Sequence, residues 1–331
     1  MDKKIGYGFI FYSGIGNTVN IFSKRPKGVI LAYHRVSPLS TVNALLRDLC
    51  VDPLSFDKQM VYLKKNYNVI SLEQALEYAN SASNKLDNSI VITFDDAYAD
   101  NYEYAYPILK KHGLAATVFV STSFIGSKRV FWWDMLVDML KCTQKETVNF
   151  SFLGRDYKFK LNKEKQRAFY VIANLFKRAA PEEQETLTRI LRGAFALDEK
   201  VVLTRCLSWE QIREMSKYNI TFGSHTHSHI ALSLVLNGQL QEELIKSKEI
   251  LELNIKQRVT AFAYPFGEQG DFNKKSVALV AQTGYRCALT MLQGPVYCGD
   301  NAFTLRRVGV GGNDTVSIFK LKAMGLVPLF K

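Results

Sequence analysis

Six short apolar runs recur along the chain, at residues 29–32, 90–94, 116–120, 220–222, 260–263 and 287–290. Each has the length of a buried strand and is too short for a buried helix. Between them the period changes to that of helices. Residues 55–66 carry Phe56, Met60 and Leu63 at helical spacing, and 71–78 open on Ser71-Leu72-Glu73-Gln74, a capping-box pattern. Residues 102–112 stop at Gly113, and 239–253 alternate charge with Leu or Ile at i, i+3 and i+4. Strands alternating with helices predict an α/β fold with a parallel sheet or barrel.

Residues 127–205 interrupt this rhythm. The stretch is rich in Lys, Arg, Glu and Leu, with helical periodicity over 164–177 and 181–195. No Gly/Ser/Pro linker flanks it, so it reads as a mostly helical insertion rather than a separate domain. Internal repeats and low-complexity tracts are absent. The expected organisation is an N-terminal extension over 1–28, then a barrel over 29–331 carrying the insertion at about 127–205.

Composition narrows the classes. A hydrophobic content of 47% in 331 residues fills a core and excludes wholesale disorder. The net charge of +12 attracts anions in general, but Lys and Arg are dispersed and no nucleic-acid motif accompanies them. A generic basic surface, with no nucleic-acid partner, is the expectation. The five cysteines form no CxxC pair, which argues against a zinc ribbon or a disulfide framework and for a reducing compartment. No apolar run reaches the roughly 18–20 residues that span a bilayer. Residues 5–12 are apolar and are followed by Lys24, Arg25 and Lys27. Two readings stand: a segment lying on a membrane surface, or one packing on the fold. The expected location is the cytoplasm or the periphery of the inner membrane, with export open. Nothing in the sequence sets an oligomeric state.

The candidate chemistry sits at strand ends. Asp95 and Asp96 close the run Ile90-Val91-Ile92-Thr93-Phe94, and Ile220-Thr221-Phe222-Gly223-Ser224 is followed by His225 and His229. One Asp and two His would hold a metal and leave a coordination position free, as a catalytic centre requires. The remaining carboxylate is a natural general base. His34 and the turn Tyr264-Pro265-Phe266-Gly267 also follow strand-like runs. In an α/β barrel all of these ends meet on one face.

Together these motifs resemble the polysaccharide deacetylases of carbohydrate esterase family 4. Thr93-Phe94-Asp95-Asp96 is similar to the family's first motif, and His225-Thr226-His227-Ser228-His229 to its second. Phe262-Ala263-Tyr264-Pro265-Phe266-Gly267 is similar to the third, a groove wall. The resemblance runs from about residue 29 to 310, broken by the insertion. It implies a distorted (β/α)7-type barrel. It also implies Asp95 as base, Asp96, His225 and His229 as ligands of a divalent metal (zinc first, cobalt or nickel as alternatives), and the Phe266 backbone N–H as oxyanion donor. His227 is left as a bystander. Tyr264, Pro265 and Tyr98 are the candidate sugar-contacting residues. Trp132-Trp133-Asp134 has two readings, an anchor of the insertion to the core, which is preferred, and an aromatic surface on which a sugar stacks.

Three departures stand out. Ala263 occupies the place of the Arg that usually orients the base, the Asp-x-x-Asp-Trp motif has no clear counterpart, and no His follows Leu305 where the usual acid would fall. A departing amine needs a proton, so a substitute acid is sought among the five histidines. His225 and His229 serve the metal, His227 lies between them, and His112 reads as a helix C-terminus. That leaves His34, as acid or substrate-orienting group, against a structural role capping the first strand. Arg307 is the substitute partner for Asp95. The expected activity is metal-dependent N-deacetylation of an amino sugar in a polysaccharide or lipid-linked glycan. The alternatives are a deformylase or O-deacetylase on a lipid-linked sugar, and an inactive carbohydrate-binding barrel.

Overall fold

The run Ser89–Phe94 is buried at all of its positions, as a strand covered on both faces must be. The other apolar runs are buried as well, apart from exposed Thr221 and half-buried Thr260. A computed structural model describes residues 27–81, 84–196 and 206–326. The extension over 1–28, and with it both readings of residues 5–12, falls outside these residues except for Lys27 and Gly28.

Seven parallel strands close on themselves: β1 (Lys27–Tyr33), β2 (Ser89–Phe94), β3 (Ala116–Val120), β4 (Ile220–Ser224), β5 (Ala261–Ala263), β6 (Cys287–Gln293) and β7 (Leu305–Gly309). The register of β1 on β2 runs from Gly28↔Ser89 to Tyr33↔Phe94, and that of β3 on β4 from Ala116↔Ile220 to Val120↔Ser224. Pairs β2–β3, β4–β5, β5–β6 and β6–β7 continue the sheet, and Leu31↔Val308 joins β7 back to β1. This is the (β/α)7 barrel.

Because side chains alternate along a strand, each barrel strand feeds two layers. Val29, Leu31, Ile90, Ile92 and Val118 pack in the large core beneath the helices, while Ile30, Val91, Phe119, Ala263 and Leu289 form a smaller cluster on the other face. Gly223 is required where Phe119 crosses β4: a Cβ there would lie 2.4 Å from the Phe119 ring. Helix Pro53–Asn66 begins with Pro in its first turn and an Asp52 cap, and Leu72–Asn80 carries the full capping box of Ser71 and Gln74.

Helix formation after β2 differs from the sequence pattern. Residues Asn101–Ala105 make a π-helical turn before the α-helix Tyr106–His112, which ends on left-handed Gly113 as expected. Strand β7 has no counterpart among the apolar runs, because Arg306 and Arg307 break its pattern. Within 127–196 the structure holds helices Trp132–Cys142, Leu161–Arg178 and Pro181–Phe195. It also holds a hairpin of Thr147–Phe152 with Arg155–Lys160, which the helical periodicity did not foresee. Its inward residues Val148, Phe150, Phe152 and Phe159 share one core with Trp133, Phe169 and Phe176. Among the described residues no helix is long and apolar enough to cross a membrane.

Candidate active site

Since all seven strands run the same way, the residues that follow them meet at one end. His34 after β1, Asp95 and Asp96 after β2, and His225 and His229 after β4 open onto one pocket. Its apolar walls are Leu49, Trp133, Phe266 and Met291. The backbone there is held in a costly form. Asp96, Ala97, Thr226, His229 and Phe266 all adopt left-handed φ values, between 51° and 70°. Each non-glycine residue in that region costs roughly 1–2 kcal/mol, so five around one pocket signal a site whose geometry is imposed by its surroundings.

Asp96, His225 and His229 are the one group of ligand-type side chains among the described residues that could share a metal ion; their ligand atoms all lie within 4.8 Å of one another. Asp96 Oδ1 lies 3.1 Å from His229 Nε2 and 3.7 Å from His225 Nε2, yet it is buried and accepts no hydrogen bond. An orphaned buried carboxylate oxygen facing two imidazole nitrogens is what a cation position demands. The His225 Nδ1 is 2.7 Å from the Ala263 carbonyl oxygen. A carbonyl can only accept, so the proton is on Nδ1 and the Nε2 lone pair faces Asp96. Burial pushes the His225 pKa down to about 4 against the pull of Asp95, which keeps the ring neutral and able to ligate. Asp96 is also held ionised: burial opposes its charge, and His229 outweighs it. The donor set therefore fits a small divalent cation, with zinc-type nitrogen and oxygen ligands.

The loop bearing the histidines is fixed from below. Glu243, on helix Asn237–Ile255, accepts from the N–H groups of His227 and Ser228 and from the Ser228 hydroxyl. The His227 ring bonds Thr122 Oγ1 at 2.9 Å and takes no part in the ligand set. His112 pairs instead with Asp57 at 2.7 Å, at the C-terminal end of the helix Tyr106–His112 that leads into the third barrel strand.

Asp95 is gripped by Arg307. Nη1 donates to Oδ1 and Nη2 to Oδ2, both at 2.7 Å, while Nε donates to the Thr290 carbonyl at 2.9 Å. Arg307 is fully buried in the barrel, and it reaches Asp95 from β7. Burial disfavours the Asp95 carboxylate, but the Arg307 guanidinium overrides it and holds the group well below the usual carboxylate range.

The segment after β1 is clamped as well. Asn101 donates to the His34 carbonyl at 2.9 Å, and Arg35 bonds Asp100 at 2.7 Å while lying 4.6 Å from the Tyr98 ring centroid. Tyr98 and Tyr264, expected to contact sugar, are buried with their hydroxyls engaged. Tyr98 donates to Asp134 at 2.8 Å and accepts from the Trp133 indole at 2.6 Å; Tyr264 donates to the Phe303 carbonyl at 3.1 Å and stacks on Phe272. Both are therefore part of the scaffold, because the strand end turns each ring into the core. Pro265 is buried too. Trp132 stacks on Phe176, a contact inside the insertion itself. Trp133 does more: its ring stands edge-to-face against His229 at 4.9 Å and walls the pocket, a place nearer the sugar-surface reading of the pair than the preferred anchor reading. Burial pushes the Asp134 pKa up to about 7, against the opposing pull of Arg35 and the Tyr98 hydroxyl.

Known proteins agree with this architecture. The family profile described as polysaccharide deacetylase matches residues 82–288, well over half of the chain. The chain belongs to the polysaccharide deacetylase family. It is accordingly a hydrolase of carbon–nitrogen bonds other than peptide bonds. The YxkH protein of Bacillus subtilis (strain 168) is 23% identical over 297 residues, covering 89% of this deacetylase and 76% of YxkH. A poly-β-1,6-N-acetyl-D-glucosamine N-deacetylase of Staphylococcus aureus (strain NCTC 8325 / PS 47) is 29% identical over 123 residues, which span 34% of this chain and 42% of that protein. Among solved structures, the Streptococcus pyogenes deacetylase PplD in complex with acetate superposes with a TM-score of 0.61 at 22% identity, covering 92% of this chain and 100% of PplD. IcaB from Ammonifex degensii gives 0.57 at 18%, covering 90% and 96%. At such identities the structural likeness speaks for the fold.

Proposed function

We propose that this deacetylase is a divalent-metal-dependent N-deacetylase of an amino sugar within a polysaccharide or lipid-linked glycan. The observation that carries the reading is the pairing of two adjacent carboxylates in opposite settings. Asp96 faces two histidines with an orphaned oxygen, and Asp95 is gripped by a buried arginine. One carboxylate is set up to ligate and the other to accept a proton. The S. aureus relative's N-acetylglucosamine substrate supports an N-acetylated sugar here as well.

A divalent ion held by Asp96, His225 and His229 would supply Lewis-acid polarisation and an activated water. The chain's own groups do the rest. Asp95 spends two lone pairs on Arg307, which aims its remaining lone pairs into the pocket and keeps it ionised, so that it takes the proton of the attacking water. The Phe266 N–H finds no acceptor among the described residues and is free to donate to the oxyanion. His34, on the same pocket, gives the departing amine its proton. Walls of Leu49, Trp133, Phe266 and Met291 hold bulk water away. The products are acetate and a free amino sugar.

The test is acetate release from β-1,6-linked N-acetylglucosamine oligomers and from lipid-linked N-acetylated sugars, before and after treatment with a chelator. Release that the chelator stops and added zinc, cobalt or nickel restores is expected. Release that survives complete metal removal would refute the metal assignment.

A further inference from the structure

The insertion reaches the active site at a second place besides Trp133. Lys177 lies in the last turn of helix Leu161–Arg178, and its ammonium bonds Glu268 at 2.7 Å and approaches Asp271 at 3.4 Å. Lys177 and Glu268 are mostly buried, Asp271 more fully. The same ammonium stands 5.3 Å from the centroid of the Phe266 ring. Phe266 is the centre of a tight turn closed by Gly267 N–H donating to the Pro265 carbonyl at 2.7 Å, with φ of +60°. Such a turn is a strained conformation that persists only if its flanks are fixed. One flank is fixed by Met291, whose N–H donates to the Gly267 carbonyl at 2.8 Å. The other is the Glu268–Asp271 loop, closed by Glu268 N–H donating to Asp271 Oδ2 at 2.9 Å and tied to the His229 side by Ser233 N–H on the Asp271 carbonyl. That loop brings two carboxylates together, and Lys177 is the cation that lets them coexist.

We infer that Lys177 is a positioning residue of the insertion, clamping the Glu268–Asp271 loop so that the strained Phe266 turn keeps its N–H aimed into the pocket. The inference rests on the functional reading above, in which that N–H meets the oxyanion. Without Lys177 the two carboxylates repel and the turn relaxes. Loss of an oxyanion donor is typically worth 10²–10³ in rate, so partial misalignment in Lys177→Met should lower kcat by about tenfold to a hundredfold. KM and zinc affinity should stay unchanged, because Lys177 touches neither sugar nor ligands. Lys177→Arg should restore most of kcat.

The experiment combines kcat and KM for acetate release, zinc titration, and amide hydrogen exchange over residues 265–272, in wild type, Lys177→Met and Lys177→Arg. Faster exchange with a fall confined to kcat, both reversed in Lys177→Arg, is the expected result. Wild-type kcat in Lys177→Met overturns the inference, as does a lower kcat without faster exchange, or a change in KM alone. Glu268→Gln, which breaks the pair from the loop side, is read in the same way should Lys177→Met not fold. A wild-type enzyme that releases no acetate defeats the functional reading instead, while the exchange arm still decides whether Lys177 orders the turn.

Discussion

Arg307→Met keeps the length of the side chain and removes its charge. The wild-type guanidinium has no exposure and spends its donors on Asp95, Thr93 and Thr290. The variant strands the Asp95 carboxylate in the barrel mouth, and breaking a buried pair by removing one partner costs about 3–5 kcal/mol. If the group protonates instead, its pKa rises above the usual carboxylate range, since the burial that Arg307 had outweighed remains. The pH dependence follows from the direction of the wild-type shift. Arg307 depresses the Asp95 pKa, so the pair's stability is present in full above the unfolded value of about 3.9 and is lost as pH falls further. In the variant, burial acts unopposed and the carboxylate destabilises at neutral pH. The stability gap between the two proteins should therefore be largest near neutrality and begin to shrink as pH falls through the variant's raised Asp95 pKa, continuing on further acidification. Urea unfolding at several pH values measures the gap, and the acid limb of kcat/KM for acetate release should move to higher pH with it. Arg307→Lys, which keeps the charge but not the fork, should fall between. A variant within about 1 kcal/mol of wild type at neutral pH, with an unmoved acid limb, would refute this reasoning.

Other outcomes follow from single observations. Burial raises the Asp134 pKa to about 7, so metal-free wild type should lose stability as pH rises from about 4 to 7, and Asp134→Asn should flatten that slope in urea titrations. Gly267→Ala places a Cβ 2.7 Å from the Met291 nitrogen at a φ of +66°; it should lower the urea midpoint by an equivalent of about 1–2 kcal/mol or more and depress kcat. Gly223→Ala meets the Phe119 ring and should cost about 1–3 kcal/mol by overpacking, with kcat little changed. A bound ion at a thousandfold its Kd stabilises by about 4 kcal/mol, so zinc should raise Tm in wild type and leave the Tm of His229→Ala unmoved.

Much of the fold was legible because a parallel barrel writes itself as apolar runs separated by helical spacing. Six of the seven barrel strands coincide with such runs. The seventh, Leu305–Gly309, was hidden because it carries Arg307 into the barrel, where its charge is answered by Asp95. A strand that delivers a buried ion pair cannot advertise itself by hydropathy. In the hairpin Thr147–Lys160 the second strand was obscured by Arg155, Lys158 and Lys160 on its exposed face, whereas Val148, Phe150 and Phe152 alternate as a half-buried strand does. At the site, chain-local features were readable: the Asp95-Asp96 pair and the spacing of His225 and His229. What sequence could not supply was everything that depends on distant segments meeting. The Trp133 edge on His229, Glu243 beneath the histidine loop and Lys177 beside Phe266 belong to this class. Tyr98 and Tyr264 show the converse, since their neighbourhood to the motifs suggested sugar contact while their hydroxyls serve the core.

The most direct measurement is acetate release by zinc-loaded Asp95→Asn beside zinc-loaded wild type, with zinc content determined for both. Asparagine preserves shape and leaves Asp96, His225 and His229 untouched, so the variant should bind zinc like wild type and release no acetate above background. Full turnover in the zinc-loaded variant would contradict the assignment of Asp95 as the base, and with it the division of labour between the two carboxylates.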